Sequence, residues 1–285
     1  MIERAAMGAE ELIGALLRGG LTAAAVAAML LAGQRWGRDV AGLLAGLPTV
    51  TGPALVWLAL DRGRDFASDA AVGAVLAGAA CAVFALAYAR ACTVLGRWSA
   101  LAVASVASVP PLGLLALPHV PLAQAFGLVV VVCMVCLWCM TALPPVAAVA
   151  TRCTDARAAG AAARPGLATI AVAGVVTALA SLLAPHLSPA AAGAMTSPPL
   201  LAAAVVWELH RQRCRTPVLV FLRGYTAGLV GRCACVAAFG ALLLPAGLMQ
   251  AAAVGSVLAL ALGWVTRRWI GLRASATAVG LEASL

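Results

Sequence analysis

The chain predicts an all-α fold of the polytopic integral-membrane class, and three observations point there. Asp, Glu, Lys and Arg are absent from Trp98 to Thr151 and again from Pro165 to Trp207. Hydrophobic residues fill 64% of the 285 positions and charged residues 10%, against roughly 45–50% and about 25% in soluble domains. A hydrocarbon core of about 30 Å is crossed by about 20 apolar residues at a rise of about 1.5 Å each, so each uncharged run holds two helical spans. A second, aqueous domain has nowhere to fit, and residues 1–285 read as a single transmembrane domain.

Cutting the apolar runs at charge clusters and Pro pairs predicts nine spans: 12–33, 39–60, 66–90, 97–118, 121–143, 166–185, 190–209, 217–244 and 247–266. Arg35 and Arg38 part the first two, Arg62 and Arg64 the next, and Arg90 and Arg97 the third from the fourth. The fourth and fifth divide at Pro118-His119-Val120-Pro121, and the sixth and seventh at Pro185-His186-Leu187-Ser188-Pro189. A Pro at each edge of so short a turn ends one helix and starts the next. Between the fifth and sixth spans lies the Arg-bearing loop 144–165, and Pro245-Ala246-Gly247 separates the last pair. The eighth span is long enough to tilt or to project past the bilayer.

All 19 basic residues are Arg. With abundant Ala and Gly, that bias reads as G+C-rich coding and hence a bacterial source. Thirteen of these Arg fall in the loops on one side, including Arg35, Arg97, Arg152, Arg215 and Arg268, whereas the other side carries Arg4, Arg18, Arg62 and Arg64. Positive charge accumulates on the cytoplasmic face, so the expected placement is a bacterial inner membrane with the N-terminus periplasmic and the C-terminus cytoplasmic. Trp36, Trp98, Trp207, Trp264 and Trp269 lie near the Arg-rich side, at headgroup depth. The Arg act as topology signals between apolar segments, which excludes a nucleic-acid surface and leaves membrane lipids and a small solute or ion as partners. Met1 to Gly20 lacks a basic leader before its apolar core, so the first apolar segment is expected to be retained. Most of the nine Cys fall inside predicted spans and are expected as reduced thiols.

An internal repeat is the next expectation. At an offset of 150, Pro48 aligns with Pro198, Trp57 with Trp207 and Gly78 with Gly228. Helices one to four then pair with six to nine, giving halves 1–120 and 160–285. The fifth helix between them inverts the second copy, the plan of many secondary transporters.

Two spans carry helix-breaking residues near mid-depth: Gly42 to Pro53 in the second and Gly193 to Pro199 in the seventh. Pro48 and Pro198 each remove a backbone donor, and the freed backbone groups must face protein or a water-filled cavity because lipid cannot satisfy them. Thr49, Thr51, Thr196 and Ser197 place hydroxyls beside the breaks, with Gly46 at the approach, and these residues are the candidate solute or ion ligands. The competing reading is a kinked packing helix with Gly42 and Gly46 as a close-contact face. Arg232 is the single charge near the middle of a predicted span. A central Arg costs about 2.5–3.5 kcal/mol to insert, and such residues face the bundle interior. Arg232 sits at the depth of Pro48 and Pro198, so a guanidinium and a broken-helix terminus can converge on an anion or carboxylate. Arg223, nearer the Arg-rich side, is expected to snorkel.

Three weaker patterns remain. Asp61, Asp65 and Asp69 recur every fourth residue, as in a Mg²⁺-diphosphate site, but Arg62 and Arg64 interleave and no further acid joins them, so a solvated helix start is the better reading. Cys133, Cys136 and Cys139 form a soft-ligand run, read as packing rather than a metal site. Glu208 and His210 beside Trp207 occupy a loop edge. No P-loop, Gly-x-Ser-x-Gly elbow or His-Glu-x-x-His is present, and no cofactor or catalytic residue is expected. The preferred reading is a secondary transporter of a small, anionic solute. The rivals are an integral-membrane enzyme acting on lipid-linked diphosphate and an accessory subunit with no solute path.

Overall fold

A computed structural model describes residues 2–116, 120–141, 186–197, 199–211 and 215–282, together with the two-residue pieces 170–171, 174–175, 178–179 and 182–183. Among the described residues every regular element is a helix. In chain order these are α1 (Ile2–Trp36), α2 (Arg38–Gly46), α3 (Thr51–Arg62), α4 (Arg64–Ala91), α5 (Arg97–Ala107), α6 (Val109–Leu112), a 3-10 turn (Gly113–Ala116), α7 (Leu122–Thr141), α8 (Pro189–Met195), α9 (Leu200–Arg211), α10 (Thr216–Leu243) and α11 (Leu248–Glu282). Among the described residues, six stretches are long and apolar enough to cross a membrane: Val40–Arg62, Arg64–Ala91, Arg97–Leu115, Leu122–Thr141, Thr216–Leu243 and Leu248–Thr266. The protein is a membrane-embedded helical bundle.

The expected count of nine included three further spans. Along 12–33 the helix is continuous, and its apolar stretch Leu12–Ala24 is shorter than a full crossing. Most of 166–185, with the loop 144–165, lies outside the described residues. The segment 190–209 is divided between α8 and α9. The expected helix 97–118 is likewise divided, because Pro110 and Pro111 cannot donate to the preceding turn and the chain continues as α6 and a 3-10 turn.

At the centre stand α4 and α10, with 78% of each apolar window buried against 17–33% in the other four spans. Composition explains why. Along α4 the buried positions are largely Ala, Gly and Cys, among them Ala67, Ala70, Ala74, Gly78, Cys81 and Ala85, so neighbours approach to backbone contact. In lipid, where apolar side chains gain nothing by leaving the hydrocarbon, such close packing is what holds helices together. Outer helices turn large apolar side chains outward instead: Leu16, Val106, Trp138 and Val257 are all exposed.

Two glycine seams organise the centre. On one, α2 lies across α10. A Cβ at Gly42 would meet the Phe221 carbonyl and sit 2.9 Å from the Tyr225 nitrogen, and one at Gly46 would sit 2.7 Å from Gly228 Cα. On the other, α8 lies across α4, where a Cβ at Gly193 would meet the Ala70 carbonyl and one at Gly73 would fall 2.7 Å from Ala190 Cα. Helix α1 approaches the piece 174–175 in the same way, where a Cβ at Gly19 would fall 2.7 Å from the Gly174 carbonyl oxygen.

Charged groups collect at the two ends of the bundle. At one end Arg18 pairs with Asp61 at 2.6 Å, Arg62 lies over Phe66, and Arg64 reaches the α10–α11 turn at Gly247. Gly63 and Gly247, with φ of 92° and 86°, make the tight turns there, a backbone region that other residues seldom enter. At the opposite end Arg97 lies 5.0 Å above the Trp207 ring, Trp98 packs on Trp207 at 5.4 Å, and Arg215 donates to the Thr93 carbonyl.

Candidate functional site: two helix breaks and a buried guanidinium

The stretch from Val40 to Arg62 is one span in two pieces. Helix α2 stops at Gly46, where the Leu47 N–H closes onto the carbonyls of Leu43 and Leu44. Pro48 follows, and α3 restarts at Thr51. Helix α8 stops in the same manner: the N–H groups of Thr196 and Ser197 bond three residues back, to Gly193 and Ala194, which tightens the last turn, and α9 begins at Leu200. Such a stop leaves terminal carbonyls that lipid cannot satisfy.

Side chains satisfy them. The Thr51 hydroxyl donates to the Thr196 carbonyl at 3.1 Å, and the Cys81 thiol of α4 donates to the Ser197 carbonyl at 3.1 Å. Thr51 Oγ1 and Ser197 Oγ lie 3.2 Å apart. A hydroxyl has one proton, and that of Thr51 is committed to Thr196, so Ser197 is the donor in this contact. The start of α3 and the end of α8, 145 positions apart in sequence, thus meet face to face.

Beside this junction lies Arg232 on α10, 5% exposed. Its guanidinium is flanked by Cys81, Tyr225 and Cys233, and Nη2 stands 3.8 Å from where a Cβ on Gly78 would fall. Cys133 of α7 joins the same cluster. Nε and Nη2 of Arg232 are buried without a hydrogen-bond partner among the described residues, and none of the ion pairs there involves Arg232. A buried guanidinium ordinarily has its donors filled, because an unpaired buried donor costs about 1–3 kcal/mol and more when charged.

The residues singled out from sequence are distributed as follows. Thr51, Thr196, Ser197 and Arg232 come together. Gly46 is buried in the α2–α10 seam, Pro48 is partly buried in the turn, and Thr49 is exposed outside the hydroxyl cluster. Pro198 lies outside the described residues. Arg223 does not simply snorkel: its Nη2 donates to the Met140 carbonyl at 2.7 Å, capping the C-terminal end of α7 with positive charge. Sequence reasoning missed Cys81 and Tyr225. The available signal was a thiol and a phenol at helix centres, where a polar atom needs a partner.

Other candidates are less developed. Asp61 is engaged by Arg18, and Asp65 and Asp69 are exposed. Among the described residues no three His, Cys, Asp or Glu side chains stand close enough to hold a metal ion. Glu208 pairs with Arg211 at 2.7 Å, and His210 Nδ1 lies 3.1 Å from the Tyr88 hydroxyl. An apolar groove of about 460 Å³ runs between α2 and α11, bounded by Leu43, Leu47, Leu260 and Trp264. Comparison with known protein families, curated proteins and solved structures finds no match to this chain.

Proposed function

We propose that the protein is a secondary transporter of a small anionic solute in a bacterial inner membrane, built as an inverted repeat of nine spans. One observation carries the reading: two interrupted helices meet through Thr51, Thr196 and Ser197 beside a buried guanidinium whose Nε and Nη2 have no partner. Broken helices at mid-depth are where transporters place their sites, with helix ends supplying charge complementarity.

The repeat draws support from contacts absent from the residue alignment. Gly42 packs on Phe221 and Gly193 on Ala70. At an offset of 151, one more than that of the residue alignment, Gly42 corresponds to Gly193 and Ala70 to Phe221, so this contact has a counterpart in the other seam with the halves exchanged. Cys81 and Arg232 are also 151 apart and lie side by side, as positions flanking a pseudo-two-fold axis should. Element order agrees, each half offering two short helices and then a 28-residue one. With the fifth span between them, the halves run in opposite directions. Clustering of Arg97, Arg211 and Arg215 at the Trp207 end favours that end as cytoplasmic.

The test is electrical. Protein reconstituted in liposomes on a solid-supported membrane is exposed to gradients of acetate, lactate, chloride, nitrate, phosphate and sulfate. At least one anion should give a protein-dependent transient, reduced several-fold by Thr51→Val and by Ser197→Ala. Silence across the panel would sink the anion carrier. It would favour the second reading, an accessory subunit, which the close glycine seams at Gly42 and Gly46 also fit.

A further inference from the structure

The two unpartnered atoms of Arg232 are not an arbitrary pair. Nε and Nη2 form one edge of the guanidinium, and their N–H bonds point the same way, as the side-on fork that grips two oxygens of a planar anion in parallel. That edge is buried against the Cys81 and Cys233 thiols and lacks a hydrogen-bond acceptor among the described residues. Its surroundings restrict the ligand further. Cys81, Cys233 and Tyr225 are the flanking polar side chains, with Cys133 close by, Val129 of α7 borders Gly78, and none of the ion pairs among the described residues involves Arg232. One buried positive charge neutralises one negative charge, and a second carboxylate on the same solute would be buried unpaired.

We propose that the solute is a monocarboxylate, its two oxygens held side-on by Nε and Nη2 of Arg232 and its uncharged remainder lying among the thiols of Cys81 and Cys233. This rests on the transporter reading and specifies its ligand. Phosphate and sulfate fit poorly, because each carries more oxygens and charge than one fork and a thiol wall can satisfy. Lysine would not substitute, since an ammonium keeps the charge but loses the two parallel donors.

Binding to purified full-length protein in lipid nanodiscs tests this directly, by thermal shift and calorimetry with formate, acetate, propionate, succinate, phosphate and sulfate. The expected result is stabilisation by at least one monocarboxylate, at least ten-fold tighter than succinate, phosphate or sulfate, and at least ten-fold weaker in Arg232→Lys. Should that variant not fold, wild-type protein still decides. The ranking of the six anions is read without it. Tighter binding of sulfate, phosphate or succinate, or equal monocarboxylate affinity in Arg232→Lys, overturns the monocarboxylate assignment while leaving an anion carrier standing. Binding of none of the six overturns the assignment and removes the anionic-solute reading with it.

Discussion

Thr51 shows how one hydroxyl can serve two helix breaks at once. Its hydroxyl fills the Thr196 carbonyl left open by the end of α8 and receives the Ser197 proton. Each such bond is worth about 1 kcal/mol net. Because the two share an oxygen, the stability losses of Thr51→Val and Ser197→Ala should fall short of additivity in the double variant, measured by thermal denaturation in detergent. Fully additive losses would mean that the hydroxyls act independently. His210 makes a different prediction. Burial, and then the charges of Arg215 and Arg97, lower its pKa below the ordinary 6.5. The unfolded chain therefore binds a proton at His210 more readily than the fold does. Stability should drop as pH falls below about 6.5 and level off once the folded imidazole also protonates. Melting curves from pH 7.5 to 5 should show that loss, and His210→Gln should remove part of it; an unchanged profile in the variant would refute the assignment.

At the scale of elements, the crossings α2–α10 and α4–α8 depend on having no side chain at the contact. Gly42→Ala or Gly193→Ala pushes a methyl into a facing backbone carbonyl, which helices can relieve only by moving apart. Overpacking of this kind costs about 1–3 kcal/mol, and both variants should lose several degrees of melting temperature. Gly127 on α7 has open space where its Cβ would stand, so Gly127→Ala should be neutral or slightly stabilising, since Ala forms helix more readily. Equal behaviour of all three variants would mean that the seams are not tight in the membrane. The division of the stretch 97–116 at Pro110 and Pro111 was legible as residues but not as geometry. One Pro in a span is often absorbed as a kink, whereas two in succession remove adjacent donors and end the regular helix.

For the whole molecule, the proposed inverted arrangement is testable by sidedness. Nine spans with a periplasmic N-terminus put Gly63 and Gly247 outside and Gly96 and the C-terminus inside. Alkaline phosphatase fused after Gly63 or Gly247 should be active, and green fluorescent protein fused after Gly96 or at the C-terminus should fluoresce. The reverse pattern would turn the protein over, and Gly63 and Gly96 found on the same side would remove the crossing of α4 that the inverted relation needs. The Gly63 and Gly247 fusions should agree with each other in any case, because Arg64 approaches Gly247 and places both turns at one end of the bundle.

Membrane residence, an all-helical fold and the places where two spans break are properties of the one-dimensional chain. Hydropathy over about 20 residues and the missing donor of proline act locally, whatever the distant sequence does. Arg232 was legible for the same reason, as a charge among apolar neighbours. Which long-range partners meet is a different matter. That Thr51 reaches Ser197, that Cys81 closes the second break, that Arg223 caps α7, and that Nε and Nη2 of Arg232 are buried without a hydrogen-bond partner among the described residues all follow from how α4 and α10 seat α2 and α8 through glycine contacts. Those contacts are set by shape between helices far apart in sequence, in a chain so rich in Ala and Gly that composition alone does not select among pairings. Only the packed bundle decides them.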